Sequence, residues 1–276
     1  MLLLNDLTNK QSERGMTVMV TLIETFILAV IQGLTEWLPV SSSGHLVITQ
    51  KILGLNPPLI FDVMLHVGTL IVVLTVFRKD IVDIIKALVK RDFETEKGKL
   101  ALHIAVGSVP IAVIGFVFYD IFKSLFSNLP AVAIALLITG CVLFVSEKRV
   151  GNKKIGTLDS LLIGLAQAIA IIPGISRSGV TVSTGLLRKI DKSTAFRYSF
   201  LLSVPTVIGA TIIESKDLML ANTDMLPLLL GATISMIVGY VSLKLLQKIV
   251  MNEKFHLFAY YCWTVGIAII LFISFQ

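Results

Sequence analysis

Residues 227–246 have the sequence PLLLGATISMIVGYVSLKLL, in which nineteen of twenty side chains are uncharged. Twenty mainly apolar residues, at about 1.5 Å per residue in a helix, match the roughly 30 Å thickness of a bilayer's hydrocarbon core. The one charge, Lys244, lies in the last turn, where a long side chain can extend to the membrane surface. The stretch therefore predicts a membrane-spanning helix.

Five further stretches are similarly apolar and of nearly spanning length: 61–77, 100–118, 131–145, 196–213 and 256–275. Over all 276 residues, 55% are hydrophobic and only 15% are charged, and the mean hydropathy is +0.88. A soluble domain carries about 25% charged residues, because its surface must be solvated. The sequence therefore predicts an all-α polytopic membrane protein with six transmembrane helices.

Two other apolar stretches, 18–53 and 155–188, are each interrupted by a polar break. We call PVSSSGH at 39–45 the first break and PGISRSG at 173–179 the second break. Proline ends the incoming helix, and serine can cap the next one. The outgoing pieces hold roughly a dozen residues or fewer, about half a membrane in a helix. We therefore expect two re-entrant helix pairs that turn back near mid-depth.

The two broken stretches are related by a shift of 135 positions. The shift places Gln32 on Gln167, Ser41 on Ser176, Ser43 on Ser178, Gly44 on Gly179 and Phe61 on Phe196. Three predicted spans separate the stretches, and an odd number inverts the second copy in the membrane. We expect an inverted-topology internal repeat, with repeat one at about 18–118 and repeat two at about 155–246. The two breaks would then meet near mid-depth.

The loop charges predict an orientation. Loops 78–99, 147–157, 188–197 and 247–255 share one side and carry seventeen Lys and Arg, against five on the other side. The positive-inside rule makes the richer side cytoplasmic, so the first helix pair opens to the outer face. This topology accounts for the net charge of +6. No basic stripe with interleaved aromatic residues is present, so nucleic-acid binding is not predicted.

The first sixteen residues lack the pattern of a signal peptide. They mix polar and apolar side chains and end at a second methionine, Met16. We expect residues 1–16 to form a disordered N-terminal extension, with 17–276 as a single membrane domain.

Few ionisable residues lie deep in the apolar stretches, and Glu36, His45 and Arg177 all lie in or beside a break. Insertion scales put the cost of a membrane-buried charge at about 2.5–3.5 kcal/mol. Arg177 begins a half-helix, whose free N–H groups attract anions, and its guanidinium matches phosphate oxygens. Ser176, Ser178 and Thr181 can add hydrogen bonds. With a second helix N-terminus at the first break, the pattern predicts a site for a diphosphate-like anion.

Several roles stay open for Glu36, which shares a helix face with Gln32 four residues earlier. A carboxylate beside phosphates needs a positive neighbour, either Arg177 or a divalent cation such as Mg²⁺ or Ca²⁺. Glu36 can instead act as general base towards a serine or a water. Alternatively, Glu36 and Arg177 form a structural ion pair, and the breaks are simple helix kinks. We interpret three further polar residues as structural: His66, His103 and Gln167.

The residues of both breaks resemble a known family. QGLTEWLPVSSSGH at 32–45 resembles the first motif of the undecaprenyl-diphosphate phosphatase family of the bacitracin-resistance type, and PGISRSG at 173–179 with Thr181 resembles the second. The resemblance covers the chain after residue 16. It implies hydrolysis of undecaprenyl diphosphate to the monophosphate lipid carrier and inorganic phosphate, which supports peptidoglycan synthesis and opposes bacitracin.

The resemblance also implies site roles. Catalysis falls to Glu36, Ser42 as nucleophile or metal-side hydroxyl, and His45 as acid or base. Diphosphate binding falls to Arg177, Ser176, Ser178, Thr181, Ser43 and Gln32. The family depends on a divalent cation, Mg²⁺ or Ca²⁺, for which Glu36 is the candidate ligand. Gln32 stands where the family allows Glu or Gln, so this chain has one carboxylate fewer.

The implied setting is the bacterial cytoplasmic membrane, with the active site toward the outer face. The partners are the polyprenyl diphosphate substrate and membrane lipid, and a homodimer is left open. The competing hypothesis is a flippase or transporter of a polyprenyl phosphate, since inverted repeats are typical of transporters. An ion channel is disfavoured because the sequence has no ring of repeated charges.

Overall fold

The computed structural model describes residues 20–146, 151–214, 224–252 and 254–275. The predicted disordered extension lies outside these residues. The described residues form twelve helices: α1 Leu22–Trp37, α2 Ser42–Leu53, α3 Leu59–Val76, α4 Arg78–Val89, α5 Glu96–Val117, α6 Tyr119–Leu125, α7 Leu129–Ser146, α8 Thr157–Ile169, α9 Arg177–Leu187, α10 Lys192–Glu214, α11 Met225–Met251 and α12 Leu257–Ser274.

Six of these helices are long and apolar enough to cross a membrane: α3, α5, α7, α10, α11 and α12. Each overlaps one of the six apolar stretches, so the predicted number and positions of the spans are confirmed. The protein is therefore an all-α polytopic membrane protein. The only β interaction in the described parts of the chain is one isolated bridge between Lys153 and Ile190.

Both broken stretches fold as a longer helix followed by a short one. The short helices, α2 and α9, have 12 and 11 residues, or about 16–18 Å at 1.5 Å per residue, which is too short to cross a bilayer. Each is capped by the serine before it, because Ser41 Oγ accepts from Gly44 N at 3.2 Å and Ser176 Oγ from Gly179 N at 3.1 Å. The helix breaks are confirmed, and their re-entrant course through the membrane stays a prediction.

Glu24, in the first turn of α1, takes part in capping that helix. Thr21 Oγ1 accepts a hydrogen bond from Glu24 N, and Glu24 Oε2 accepts one from Thr21 N at 2.7 Å. This reciprocal arrangement is a capping box, which satisfies free N–H groups in the first helical turn. Glu24 therefore helps to cap the N-terminal end of α1 and lies about three turns from Glu36.

The two broken helix pairs pack in reciprocal ways. Helix α1, in predicted repeat one, packs chiefly against α11, in predicted repeat two. Helix α8, in predicted repeat two, packs chiefly against α5, in predicted repeat one. The short helices α2 and α9 both contact α7. The packing thus brings both breaks to one place, and inversion of the repeats relative to the membrane stays a prediction.

An aromatic cluster lies beneath the first break. Trp37, the last residue of α1, packs on Phe200 of α10 with ring centroids 5.4 Å apart. Phe200 also contacts Phe77 at 6.0 Å and Phe196 at 4.5 Å. All four side chains are buried, and aromatic pairs contribute about 0.5–1.5 kcal/mol beyond their buried area. The packing of this cluster holds the C-terminal end of α1 in place, and with it Glu36, the residue before Trp37.

Candidate active site

The two breaks are joined by direct hydrogen bonds. Ser41 Oγ accepts a bond from Gly174 N at 3.0 Å. On the far side of the second break, Thr139 Oγ1 of α7 donates to Gly174 O at 2.9 Å and accepts from Ser176 N at 3.2 Å. Ser41 and Gly174 have φ of +69° and +99°, the left-handed region that a non-glycine residue such as Ser41 rarely adopts. The predicted contact between the breaks is confirmed, and its depth in the membrane stays a prediction.

The carboxylate of Glu36 is the centre of this contact. Its side chain is only 5% exposed, and Oε1 pairs with Arg177 Nη2. Oε2 accepts hydrogen bonds from Ser42 Oγ at 2.6 Å and Gln32 Nε2 at 2.9 Å. The four side chains come from α1, α2 and α9, so both repeats contribute. A buried carboxylate is stable here because it is paired with a cation and its oxygens are hydrogen-bonded.

Arg177 keeps one terminal nitrogen unused. Its Nη1 atom is buried and has no hydrogen-bond partner among the described residues. The guanidinium carbon lies 5.6 Å from the centre of the Trp37 ring, within the range of a cation–π contact. An unpaired buried donor costs free energy, which a purely structural ion pair would avoid. Glu36 thus pairs with one side of the Arg177 guanidinium, and the part of the chain that the structure describes provides no acceptor for Nη1 on the other side.

His66 joins the site, although the sequence interpretation placed it among structural residues. Its Nε2 lies 3.6 Å from Glu36 Oε2, and its side chain is 32% exposed. Its Nδ1 lies 2.8 Å from the carbonyl oxygen of Asp62, so Nδ1 donates there. The signal was present in the sequence, because a histidine within a membrane span is uncommon and points to function. What the sequence did not show is that α3 places it beside α1.

His45 is directed away from Glu36. Its Nδ1 lies 2.8 Å from Ser41 O, and its Nε2 lies 2.8 Å from the hydroxyl of Tyr261 on α12. The His45 and Tyr261 rings also stack with centroids 5.6 Å apart. Both nitrogens therefore have protein partners, and a role as acid or base stays a prediction.

The predicted phosphate-binding hydroxyls lie around the start of α9. Ser176 caps the helix, and Ser178 Oγ donates weakly to Leu38 O at 3.4 Å. Thr181 Oγ1 donates to Arg177 O at 2.7 Å and lies 2.5 Å from Ser199 Oγ. In the first break, Ser43 Oγ lies 3.3 Å from Ser41 Oγ. In this structure these hydroxyls position the breaks, and their contact with a diphosphate stays a prediction.

Comparison with known proteins gives the family. Residues 25–268 match the family model described as Bacitracin resistance protein BacA. The chain belongs to this family. The undecaprenyl-diphosphatase of Halothermothrix orenii is 44% identical over 258 residues, which are 91% of this chain and 97% of the relative. That of Carboxydothermus hydrogenoformans is 40% identical over 258 residues (90% and 96%), and that of Methanosphaera stadtmanae 38% over 271 residues (92% and 98%).

The family resemblance implied a divalent cation. The side chains at the joined breaks offer few oxygen atoms that could bind one. No group of three His, Cys, Asp or Glu side chains among the described residues could hold a metal ion. The Oε1 atom of Gln32 is buried without a hydrogen-bond partner in the described part of the chain, next to Glu36. Two protein oxygens are too few for a Ca²⁺ cage, but Mg²⁺ commonly takes one or two protein oxygens together with substrate phosphates and water.

Proposed function

We propose that this member of the bacitracin resistance family hydrolyses undecaprenyl diphosphate to undecaprenyl phosphate and inorganic phosphate. The main observation behind the proposal is the partly buried Arg177, whose Nη2 pairs with Glu36 while its buried Nη1 has no partner among the described residues. A guanidinium fork so arranged matches a phosphate oxygen. Relatives that carry the name undecaprenyl-diphosphatase, and that match this chain over nearly their whole length, support the same activity. The reaction would recycle the lipid carrier for cell-wall synthesis and confer resistance to bacitracin.

The proposed substrate is a lipid in the membrane that surrounds the six spans. Its polyprenyl tail lies among apolar helix faces, and its diphosphate reaches the joined breaks. We place the protein in the bacterial cytoplasmic membrane with the site toward the outer face. The bias of seventeen basic residues against five supports that orientation.

We propose that Arg177 Nη1 and the free N–H groups at the start of α9 bind the terminal phosphate and stabilise charge that develops on its oxygens. Ser42 is the nucleophile, because its Oγ–H already donates to Glu36 Oε2 at 2.6 Å. Its oxygen bonds to the terminal phosphorus as the phosphoanhydride bond breaks, Glu36 accepts the proton, and undecaprenyl phosphate leaves with the bond's electron pair. Water then attacks the phosphorus of the phosphoserine, the bond between Ser42 Oγ and phosphorus breaks, and Glu36 returns its proton to Oγ, which releases inorganic phosphate and regenerates Ser42.

The alternative course uses water directly. Glu36 Oε2 takes the proton of a water, which attacks the terminal phosphorus in one step. In both courses Glu36 and the Oε1 atom of Gln32 would hold the divalent cation, and two protein oxygens fit Mg²⁺ better than Ca²⁺. When bound, the cation would neutralise negative charge on the phosphates and so stabilise the transition state of hydrolysis.

The test is phosphate release from a polyprenyl diphosphate by detergent-purified protein with Mg²⁺, with Ca²⁺ and with chelator. Glu36→Gln and Arg177→Ala should each reduce kcat/KM by about 100-fold or more, since each removes a charged group from the site. Glu24→Gln, a change of the same type on the same helix, should stay within about twofold. Folded wild-type protein that releases no phosphate with any cation would refute the proposal.

Ser42→Ala in the same assay separates the two courses. Loss of activity as complete as in Glu36→Gln, with a phosphoserine trapped in wild type at low pH, indicates the serine nucleophile. Substantial residual turnover by Ser42→Ala indicates attack by water.

The second candidate function is movement of a polyprenyl phosphate across the membrane. The reciprocal packing of α1 on α11 and α8 on α5 favours it, because such repeats are typical of transporters. In proteoliposomes, movement of a labelled polyprenyl phosphate without any phosphatase activity would favour transport over hydrolysis.

A further inference from the structure

Helix α4, Arg78–Val89, lies between two helices that can each cross a membrane. The preceding span α3 ends at Val76 and the following span α5 begins at Glu96. Two consecutive spans end and begin on the same side of a bilayer, so residues 77–95 lie at one membrane surface. Among the other helices, α4 packs chiefly against α5, which leaves much of its surface open.

One stripe of α4 is apolar and uncovered. Val82, Ile85 and Val89 are 46%, 53% and 79% exposed. Their spacing of three and four residues places them on one side of a helix. The opposite side faces the protein, where Ala87 is buried and Ile84 packs on the main core. The helix therefore has an inner side that is covered at Ile84 and Ala87 and an outer apolar stripe that is not covered.

Ion pairs fix this orientation. The Asp80 carboxylate pairs with Arg197 of α10, whose Nε donates at 2.7 Å, and with Lys97 of α5 at 2.9 Å. These ion pairs join α4 to two spans and neutralise the negative charge of Asp80. Lys97 also lies 3.8 Å from Asp83, so both acidic side chains of the helix have cationic partners.

A row of lysines follows one edge of the apolar stripe. Lys79, Lys86 and Lys90 are exposed, and their spacing of seven and four residues places them along one line of the helix. None of the three has an ion-pair partner among the described residues. Three uncompensated positive charges therefore stand beside an apolar stripe at the membrane surface.

We propose that α4 lies in the plane of the membrane interface and that this lysine row binds anionic phospholipid headgroups. The apolar stripe inserts among the upper acyl chains, as in other in-plane amphipathic helices. The lysine stems pass over that apolar layer and carry the ammonium groups to the headgroups. A surface rich in anionic lipid attracts such charges within a Debye length. The partner is thus an anionic bilayer, and the site is separate from the joined breaks.

The orientation is tested with nitroxide labels in nanodiscs. Single cysteines replace Ile85 on the stripe or Lys86 on the row, in a Cys141→Ser background because Cys141 is exposed and Cys262 is buried. The label at 85 should collide more with oxygen than with a water-soluble nickel complex, and the label at 86 should show the reverse. Equal exposure of both labels to the nickel complex overturns the proposal. Strong broadening between labels on two chains also overturns it, since the stripe is then covered by a second copy.

The charge of the partner is tested by titrating phosphatidylglycerol into phosphatidylcholine nanodiscs and following the midpoint of thermal unfolding. Lys86→Gln with Lys90→Gln should weaken the apparent affinity for phosphatidylglycerol about tenfold, and high salt should reproduce the loss. The matched pair Lys51→Gln with Lys123→Gln and the anion-site variant Arg177→Ala should keep the wild-type affinity. Phosphate release in phosphatidylcholine alone should be unchanged in the Lys86/Lys90 pair. Wild-type affinity in the Lys86/Lys90 pair overturns the proposal.

Discussion

A single carboxylate, Glu36, receives contacts from residues that are far apart in the sequence. Arg177 pairs with Oε1, and Ser42 and Gln32 donate to Oε2. This arrangement orients the Ser42 hydroxyl and holds the guanidinium of Arg177, whose Nη1 has no hydrogen-bond partner among the described residues. Removing any partner leaves a buried charge or donor unsatisfied. We therefore expect substitutions at these residues to lower phosphate release even in protein that still folds.

At the residue scale, we predict that His66→Ala lowers kcat about tenfold and leaves KM within about twofold. His66 packs beside Glu36 Oε2, 3.6 Å away, and its loss lets the carboxylate shift relative to Ser42, which misplaces the reacting groups. Steady-state phosphate release measures both constants.

The control for His66 is His103→Ala, a half-buried histidine on another span, α5. The carbonyl of His103, not its side chain, accepts the bond from Tyr198, so kcat should not change. Equal effects of the two substitutions, or an effect of His66→Ala on KM alone, would contradict a positioning role.

Short helices with serine caps are the elements that make the site. The α2 and α9 helices start within the breaks, and their first N–H groups have no partner in the preceding turn. Ser41 and Ser176 each satisfy one of these groups, and the rest can bind an anion. The backbone between the incoming and outgoing helices must turn sharply, and in the second break Gly174 makes this turn.

At the element scale, Gly174→Ala should destabilise the protein by about 2–4 kcal/mol. Gly174 has φ of +99°, and an added Cβ would lie 2.7 Å from the Ala135 Cβ on α7. Backbone strain and overpacking therefore add. The measurement is the midpoint of thermal unfolding in detergent, read together with phosphate release.

Gly209→Ala is the matched control. Gly209 lies within α10, and a Cβ there meets no atom within 4 Å. Alanine favours a helix over glycine by up to about 1 kcal/mol, so this substitution should leave the midpoint unchanged or raise it. A Gly174→Ala midpoint equal to that of Gly209→Ala would show that the turn tolerates a side chain.

The whole molecule is organised by the exchange of partners between its two halves. Helix α1 of predicted repeat one packs on α11 of predicted repeat two, and α8 of predicted repeat two packs on α5 of predicted repeat one. Glu36 and Arg177, which are 141 positions apart, meet where Ser41 and Gly174 join the two breaks. We expect the two helix pairs to insert from opposite sides, with the Glu36-bearing pair on the outer side.

At this scale we predict that Lys51 and Lys154 lie on opposite sides of the membrane. Both are exposed, Lys51 at the end of α2 and Lys154 before α8. In a Cys141→Ser background, a membrane-impermeant maleimide added to spheroplasts should label Lys51→Cys and not Lys154→Cys until the cells are lysed. Labelling of both positions in intact spheroplasts would contradict the predicted topology.

The amino-acid sequence was sufficient to predict the membrane class, the six spans, the two breaks, and Glu36 and Arg177 as candidate site residues. Hydropathy and length are local properties, and a charge in an apolar stretch is costly enough to mark function. The repeat of 135 positions even predicted that the breaks meet.

The side chains that surround Glu36 could be identified only from the folded protein. It brought His66 to the carboxylate, directed His45 to Tyr261, and engaged Ser176 and Thr181 in positioning α9. It also showed that Asp80 ties α4 to two spans. The physical reason is that lipid and neighbouring helices are equally apolar. Hydropathy therefore marks which residues lie in the membrane, whereas helix packing decides which of them touch.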